Sequence, residues 1–410
     1  MKKHYETHVE DTDKLISVAG PVLDYKSWYE QYRKLMEEQA QRKYGLYTPT
    51  SEGDDDDFPS IPGITARYSA LGLTNEQMAT NPVWVDKTGN GHDIQLKNFS
   101  WKGMSGVGGY GDENHQTFYK FTLDDYVFIA TPPGVKHMNF TFRVTGLQPG
   151  NKLTLAFFGT TNTVYGTWNK DGIYTVDADI VEAGKPTYFY NGYSATRGEF
   201  TIEILPLYPG ALVFDGVDDF GVCENFPILT KEKGYTVVAL RQWISIGEGP
   251  CGLVSNVEHW FEDGAFVLES LYPEKYYTTS FGATRGQKDL PHILTYQTSK
   301  SYNGNLIATG SYKGTDVLYV GRLASTNVGT RSNVAIWELV FLDHDATEEE
   351  LTKIKDYFVK TYPWLFPDQA WTVVGKTNED TDRATITNIT GNGNDLILSN
   401  FGFAEVRMLA

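Results

Sequence analysis

Two runs of side chains have the types and spacing for chemistry on a sugar. Glu258, Glu262 and Asp263 surround Trp260, and Phe261, Tyr272, Tyr276 and Tyr277 lie in the same Gly- and acid-rich stretch. Glycoside hydrolysis needs two carboxylates flanking the scissile bond, about 5–10 Å apart according to mechanism. A flat exposed ring beside them can stack on a sugar while polar neighbours accept hydrogen bonds from its hydroxyls. Two plainer readings stand beside this one: a solvated acidic loop, and aromatics packed into the core of a β-structure. The second run is Glu199 and Glu203, four apart on an expected strand. They share a face and read as an exposed acidic surface.

Other chemistry-like patterns fail on their surroundings. Gly106-Val-Gly-Gly-Tyr-Gly111 has the spacing of a dinucleotide fingerprint, but that fingerprint needs a strand before it and a helix after it. Asp112, Glu113 and Asn114 lead into a β pattern instead, so a flexible Gly loop is expected. Gly103-Met-Ser-Gly106 approaches a nucleophile elbow but has Val at 107 where the second Gly belongs. The 8 His form no H-E-x-x-H, and the 2 Cys, Cys223 and Cys251, make neither a disulfide scaffold nor a zinc site, although one bridge between them is open.

The elements that must position such residues follow from composition. The chain has 410 residues, 40 % hydrophobic, with 14 % aromatic residues, which suit strands and surfaces that grip sugars or proteins. Its 35 Lys plus Arg against 52 Asp plus Glu give a net charge of −17. Binding to nucleic acid by counterion release needs clustered positive charge, so a nucleic-acid partner is not expected, nor is an anionic membrane surface. The opening residues lack the apolar stretch of a secretory signal, and nothing approaches the roughly 18 apolar residues of a membrane span. A soluble protein without its own export signal is expected.

Ser27 and Glu30 read as a capping box that starts a helix, with Trp28, Leu35 and Met36 as a sparse apolar stripe and Gly45 as its stop. Residues 1–50 thus form an N-terminal helical segment, either docked on its own domain or anchoring the chain to another. Residues 51–62, with Asp54 to Asp57, read as an acidic linker. Beyond residue 63, short alternating runs between Gly, Asn and Asp turns indicate strands, best at 241–244, 265–271, 292–297, 317–322 and 334–342. A single later helix is expected, capped by Thr347 and Glu350, with Leu351, Ile354 and Phe358 on one face and Pro363 at its end. Many strands with one terminal helix point to a mainly β sandwich.

Residues 84–93, Trp-Val-Asp-Lys-Thr-Gly-Asn-Gly-His-Asp, and then 211–220, Ala-Leu-Val-Phe-Asp-Gly-Val-Asp-Asp-Phe, resemble the opening of laminin G-like, concanavalin A-like jelly-roll sandwiches. The run 235–243, Val320-Gly-Arg322, the run 334–342 and the Thr347 helix are similar to the family's next strand, closing strands and terminal helix. The resemblance implies a laminin G-like sandwich from 63–116 plus 207–367, interrupted by residues 117–206. That insertion has strand patterns of its own around 140–144, 153–158 and 199–205, and reads as an inserted small β-sandwich. The resemblance further implies calcium held by Asp215, Asp218 and Asp219, with Asp93 a further ligand or only the closure of its own turn; the alternative is that these Asp residues, beside a tight Gly turn, only cap backbone N–H groups. The Glu-x-Asp-x-(x)-Glu strand common in concanavalin-like hydrolases is absent.

The whole chain also resembles virion proteins of gut bacteriophages, fibre or tail, that carry such sandwiches behind a short N-terminal anchor. The expectation is a non-enzymatic virion structural protein for adhesion to host-surface glycan or for assembly. Its ligand-binding residues would be Trp260, Tyr272, Tyr276, Tyr277, Glu258 and Glu262. Partners would be other virion proteins through the N-terminal segment, host glycans and further copies of the chain, with localisation in the virion, or else extracellular or on a bacterial surface. The alternatives are a polysaccharide-active hydrolase and a structural adaptor without glycan binding. Finally, Thr88 to Trp101 returns as Thr390 to Phe403 with eight of fourteen positions identical. Residues 368–410 are therefore expected to lend one strand to a sheet edge, their own or a neighbour's.

Overall fold

The structure, a computed structural model, describes residue 44, residues 57–110, and the segments 118–121, 126–129, 137–157, 163–179, 187–191, 200–230, 232–245, 251–255, 267–271, 276–277, 284–285, 293–306, 315–322, 331–366, 385–386 and 396–397. Two compact units divide the chain: residues 47–360, and residues 1–46 with 361–410. Of the expected Ser27 helix only Tyr44, helical and buried, is described, and residues 51–56 of the expected acidic linker lie outside the described residues; in the rest of that linker Asp57 pairs with Lys360 at 2.7 Å and Ile61 is buried.

The larger unit is mainly β, with several antiparallel sheets. One eight-stranded sheet runs Asn305–Leu306, Ser301–Tyr302, Leu294–Thr298, Thr236–Ser245, Asn333–Leu342, Leu212–Asp215 and Gly106–Val107, and Ile64–Ser69 also pairs with Asn333–Leu342. The second sheet runs Thr284–Arg285, Tyr276–Tyr277, Val267–Leu271, Cys251–Ser255, Leu318–Val320, Phe220–Cys223, Ile94–Lys97 and Val83–Trp84. Alternation turns one face of each sheet inward. Tyr68, Phe214, Val237, Trp243, Ile336 and Phe341 of the first meet Trp84, Ile94, Leu253, Leu318 and Val320 of the second in one core. Two sheets facing each other across a shared core is the layering of a β-sandwich. Cys223 and Cys251 are both buried, and neither is disulfide-bonded.

The Glu348–Thr361 helix begins as its sequence implies. The Thr347 hydroxyl accepts from the Glu350 N–H at 3.3 Å, and the Glu350 carboxylate accepts from the Thr347 N–H at 2.8 Å. Ile354 and Phe358 are its buried residues. A second helix, Asn75–Thr80, corrects the expectation of only one after residue 63. Thr74 and Gln77 cap it reciprocally, but its six residues bury only Met78, too short a stripe for periodicity to reveal.

The insertion forms two four-stranded sheets. Gly172–Asp179, His137–Thr145, Phe200–Leu205 and Phe118–Phe121 make one, and Tyr126–Ile129, Thr187–Asn191, Leu153–Phe157 and Thr163–Trp168 the other. Phe142, Leu153, Leu155, Val176, Phe189, Phe200 and Ile202 form its separate core. Glu203 is paired with Arg143 at 2.7 Å, so it belongs to a surface ion pair. The expected flexible Gly loop is instead ordered by pairing. Gly106 and Val107 bond Val213 and Leu212, and the carbonyls of Gly108 and Gly109 accept from the N–H groups of Tyr208 and Leu207. The insertion therefore leaves and re-enters the sandwich at one clamped point.

The sequence repeat is also a structural one. Val83 pairs with Gln95 and Trp84 with Ile94; Thr385 pairs with Ile397 and Ile386 with Leu396, which are the aligned positions. The described partner of the C-terminal strand is thus its own hairpin, not an edge of either large sheet. Residues so close along the chain meet at far lower closure entropy than a distant edge requires.

Candidate functional site

The Thr88–Asp93 turn is closed by two acidic side chains, of which Asp93 returns in the second copy as Asp395. Asp86, 4 % exposed, accepts hydrogen bonds from the N–H groups of Arg67 (3.1 Å) and Thr88 (3.0 Å) and from the Thr88 hydroxyl (2.8 Å). Asp93 accepts from the Asp86 N–H at 2.8 Å. Of the two roles open to Asp93, closing its own turn is the one its hydrogen bond performs.

Asp215, Asp218 and Asp219 are brought together, with carboxylate oxygens within 4.8 Å of one another. Asp219 is fully buried and takes hydrogen bonds on both oxygens, from the Ser105 hydroxyl at 3.0 Å and the Asp215 N–H at 3.0 Å. Asp215 accepts from the Val217 N–H at 2.7 Å, an Asx turn. Calcium takes six to eight oxygens and excludes nearby cations. Here two of the three carboxylates already cap backbone, and the Arg331 charge acts on Asp218 and Asp219. The donor set fits a self-closing turn rather than a calcium cage, and no metal chemistry is derived from it.

Burial, reinforced by the Asp215 carboxylate, pushes the Asp219 carboxyl up to about 7. Between the ordinary carboxylate value and about 7, the folded chain holds a proton that the unfolded chain has released. Stability should therefore fall as pH rises through that window and flatten above it, by on the order of 4 kcal/mol. Asp219→Asn should remove this loss. Urea unfolding of both proteins at several pH values checks it, and equal slopes would contradict the account.

Beside this turn stands a group that the sequence reading did not single out. Phe220 lies directly opposite exposed Lys97 on the second sheet, with Tyr319 on the strand beyond. The guanidinium carbon of Arg322 sits 4.6 Å from the Phe220 ring centroid and 4.7 Å from that of Tyr319, and that of Arg331 sits 4.8 Å from Phe220. Arg322 and Arg331 face each other across an isolated antiparallel bridge. Arg331 donates its Nε–H to the Asp218 carbonyl at 3.3 Å. Gly321 makes the bend: its φ is +74°, and a Cβ there would lie 2.4 Å from the Phe214 ring. Val320-Gly-Arg322 was a visible signal, but its partner Arg331 is placed by hairpin pairing that spacing does not disclose.

Glu258, Trp260, Glu262 and Tyr272 lie outside the described residues, and Tyr276 and Tyr277 are placed only as a short strand. Among the described residues, no helix is long and apolar enough to cross a membrane.

No protein-family model matches the chain, and no curated protein matches it. Solved structures that match include Trypanosoma rangeli sialidase in complex with sialic acid, at 13 % identity over 68 % of this chain and 57 % of that one, TM-score 0.26. The same sialidase as a covalent intermediate with 2,3-difluorosialic acid matches at 16 % identity over 37 % of this chain and 28 % of that one, TM-score 0.26. A Sulfolobus turreted icosahedral virus structure matches at 9 % identity over 61 % of this chain and 99 % of that one, TM-score 0.13. The chain spans less than two thirds of the sialidase chains. The expectation that the chain is not an enzyme is corrected: the solved structures it matches include enzymes, the sialidases, so a non-enzymatic role does not stand as a property of the chain. At these TM-scores the likeness carries no argument for a sialidase fold or activity.

Proposed function

We propose that the chain is a bacteriophage virion structural protein that displays a laminin G-like sandwich, with a second β-sandwich inserted in it, for adhesion to host-surface glycan or for assembly of the particle. The observation that carries the adhesive reading is the outer face of the second sheet. There Lys97, Phe220, Tyr319, Arg322 and Arg331 gather aromatic rings and hydrogen-bond donors on a rigid support. The opening motif, present in two copies with the same hairpin register, suits a chain assembled from sandwich units. In this reading residues 1–50 attach the protein to other virion proteins, and the assembled form contains several copies.

Adhesion and assembly separate in one assay. Host cells preincubated with the purified full-length chain should adsorb phage particles more slowly if the sandwich is the adhesin. Unchanged adsorption, with the chain still part of the particle, would leave assembly as its role.

A further inference from the structure

We infer that Trp101, half-buried and stacked on Phe99, is a platform that takes the apolar face of a pyranose ring from a surface saccharide. This deepens the adhesion reading and rests on it for the choice of a saccharide as ligand.

Two of the non-glycine residues with a left-handed φ, Asn98 at +67° and Trp101 at +56°, bracket Phe99. Asparagine adopts such a φ readily. A bulky tryptophan does not, and glycine would make the same bend without steric cost. The loop nevertheless holds Trp101 there. The Ser100 N–H donates to the Ser105 hydroxyl at 2.8 Å, and Lys102 and Ser105 exchange backbone hydrogen bonds at 2.9 and 3.1 Å. The Asn98 side-chain amide donates to the Asp218 carbonyl at 3.0 Å, and the Ser105 hydroxyl donates to the Asp219 carboxylate at 3.0 Å. Both ends of the loop are thus fixed to the Asp215–Asp219 turn. Strain that the surrounding structure over-determines in this way points to a functional position.

Core packing accounts for Phe99 more fully than for Trp101. Phe99 meets the fully buried Phe214 ring edge-on, with centroids 5.1 Å apart and planes at 71°. Trp101 lies on Phe99 with centroids 4.8 Å apart and planes at 17°. It also touches the sandwich core, yet it stays half-buried, whereas Trp84 and Trp337 are both 1 % exposed. Those two indoles donate their N–H groups to the carbonyls of Ser69 at 2.8 Å and Pro209 at 2.9 Å. Among the described residues, the Trp101 N–H has no acceptor. Ser100 and Lys102, its neighbours along the chain, are exposed, and among the described residues no carboxylate pairs with the Lys102 ammonium. A flat ring with unspent donors beside it matches a pyranose, which offers C–H groups on its face and hydroxyls around its rim. A lipid tail would leave those donors unpaired.

A microarray of bacterial capsular and lipopolysaccharide glycans, probed with the full-length chain, tests this first. At least one glycan should bind. In calorimetric titration with that glycan, Trp101→Ala should weaken binding by about ten-fold or more. Trp101→Tyr, which keeps a flat ring, and Lys102→Ala, at an exposed site, should weaken it by smaller factors. Because Trp101 also touches the core, a second measurement uses the unaltered chain. In hydroxyl-radical footprinting the glycan should protect Trp101 from oxidation and leave the buried Trp84 unchanged. Affinity unchanged in Trp101→Ala, or equal oxidation of Trp101 with and without the glycan, would overturn the platform while leaving the adhesion reading in place. A blank array from a chain that is present in purified particles would overturn both the platform and adhesion, and leave assembly as the role.

Discussion

Glu338→Ala should lower the stability of the sandwich by about 3–5 kcal/mol, the cost of breaking a buried ion pair from one side. Glu338 is fully buried on the Asn333–Leu342 strand and receives Arg67 Nε at 3.0 Å and Nη2 at 3.2 Å. Arg67, 4 % exposed, also donates to the Tyr357 hydroxyl at 2.8 Å and lies 4.1 Å from the Phe58 ring centroid. The pair thus ties the opening strand of the sandwich to its closing strand and to the Glu348–Thr361 helix. Alanine strips the carboxylate from a desolvated guanidinium. The double substitution Arg67→Met with Glu338→Leu removes both charges and should lose much less. Equilibrium unfolding in urea measures both. A loss below about 1 kcal/mol for Glu338→Ala, the range of exposed pairs, would contradict this account.

Gly321→Ala should cost about 3 kcal/mol, from two causes that act together. An L-residue at a φ of +74° costs roughly 1–2 kcal/mol, and overpacking a core adds about 1–3 kcal/mol. The new methyl would lie 2.4 Å from Cδ1 and 2.7 Å from Cε1 of Phe214, a fully buried ring that cannot swing aside freely. Combining it with Phe214→Leu should recover part of the loss, because the smaller side chain makes room on one side of the clash. Thermal unfolding of the two variants decides it. A double variant no more stable than the sum of the single losses would show that the clash is not with Phe214.

Local signals predicted local structure well. The apolar run of 334–342, buried on both faces, the Thr347 and Glu350 box and the turn around Gly89 and Gly91 each depend on neighbours a few residues away, and a strand, a helix start and a turn are found there. The insertion was legible because it has its own alternating runs between clear turns, and its strands form sheets apart from the sandwich. Asp215, Asp218 and Asp219 share one short turn, so their meeting could be read directly. Contacts between distant segments could not. Arg67 and Glu338 are joined only because the first and last strands pair, and Ser105 meets Asp219 only because Gly106–Val107 pairs with Leu212 and Val213. Arg322 and Arg331 needed both the hairpin bridge and the left-handed Gly321 to become neighbours. Composition identified the aromatics but not the side of a sheet on which Phe220 and Tyr319 would stand.

The central claim is that this chain is built into a virus particle. Quantitative mass spectrometry of gradient-purified phage particles tests it most directly. The account predicts peptides of this chain, from the sandwich and from residues 1–50 alike, at a copy number comparable with that of the other structural proteins. Their absence from particles that are intact and infectious would contradict it.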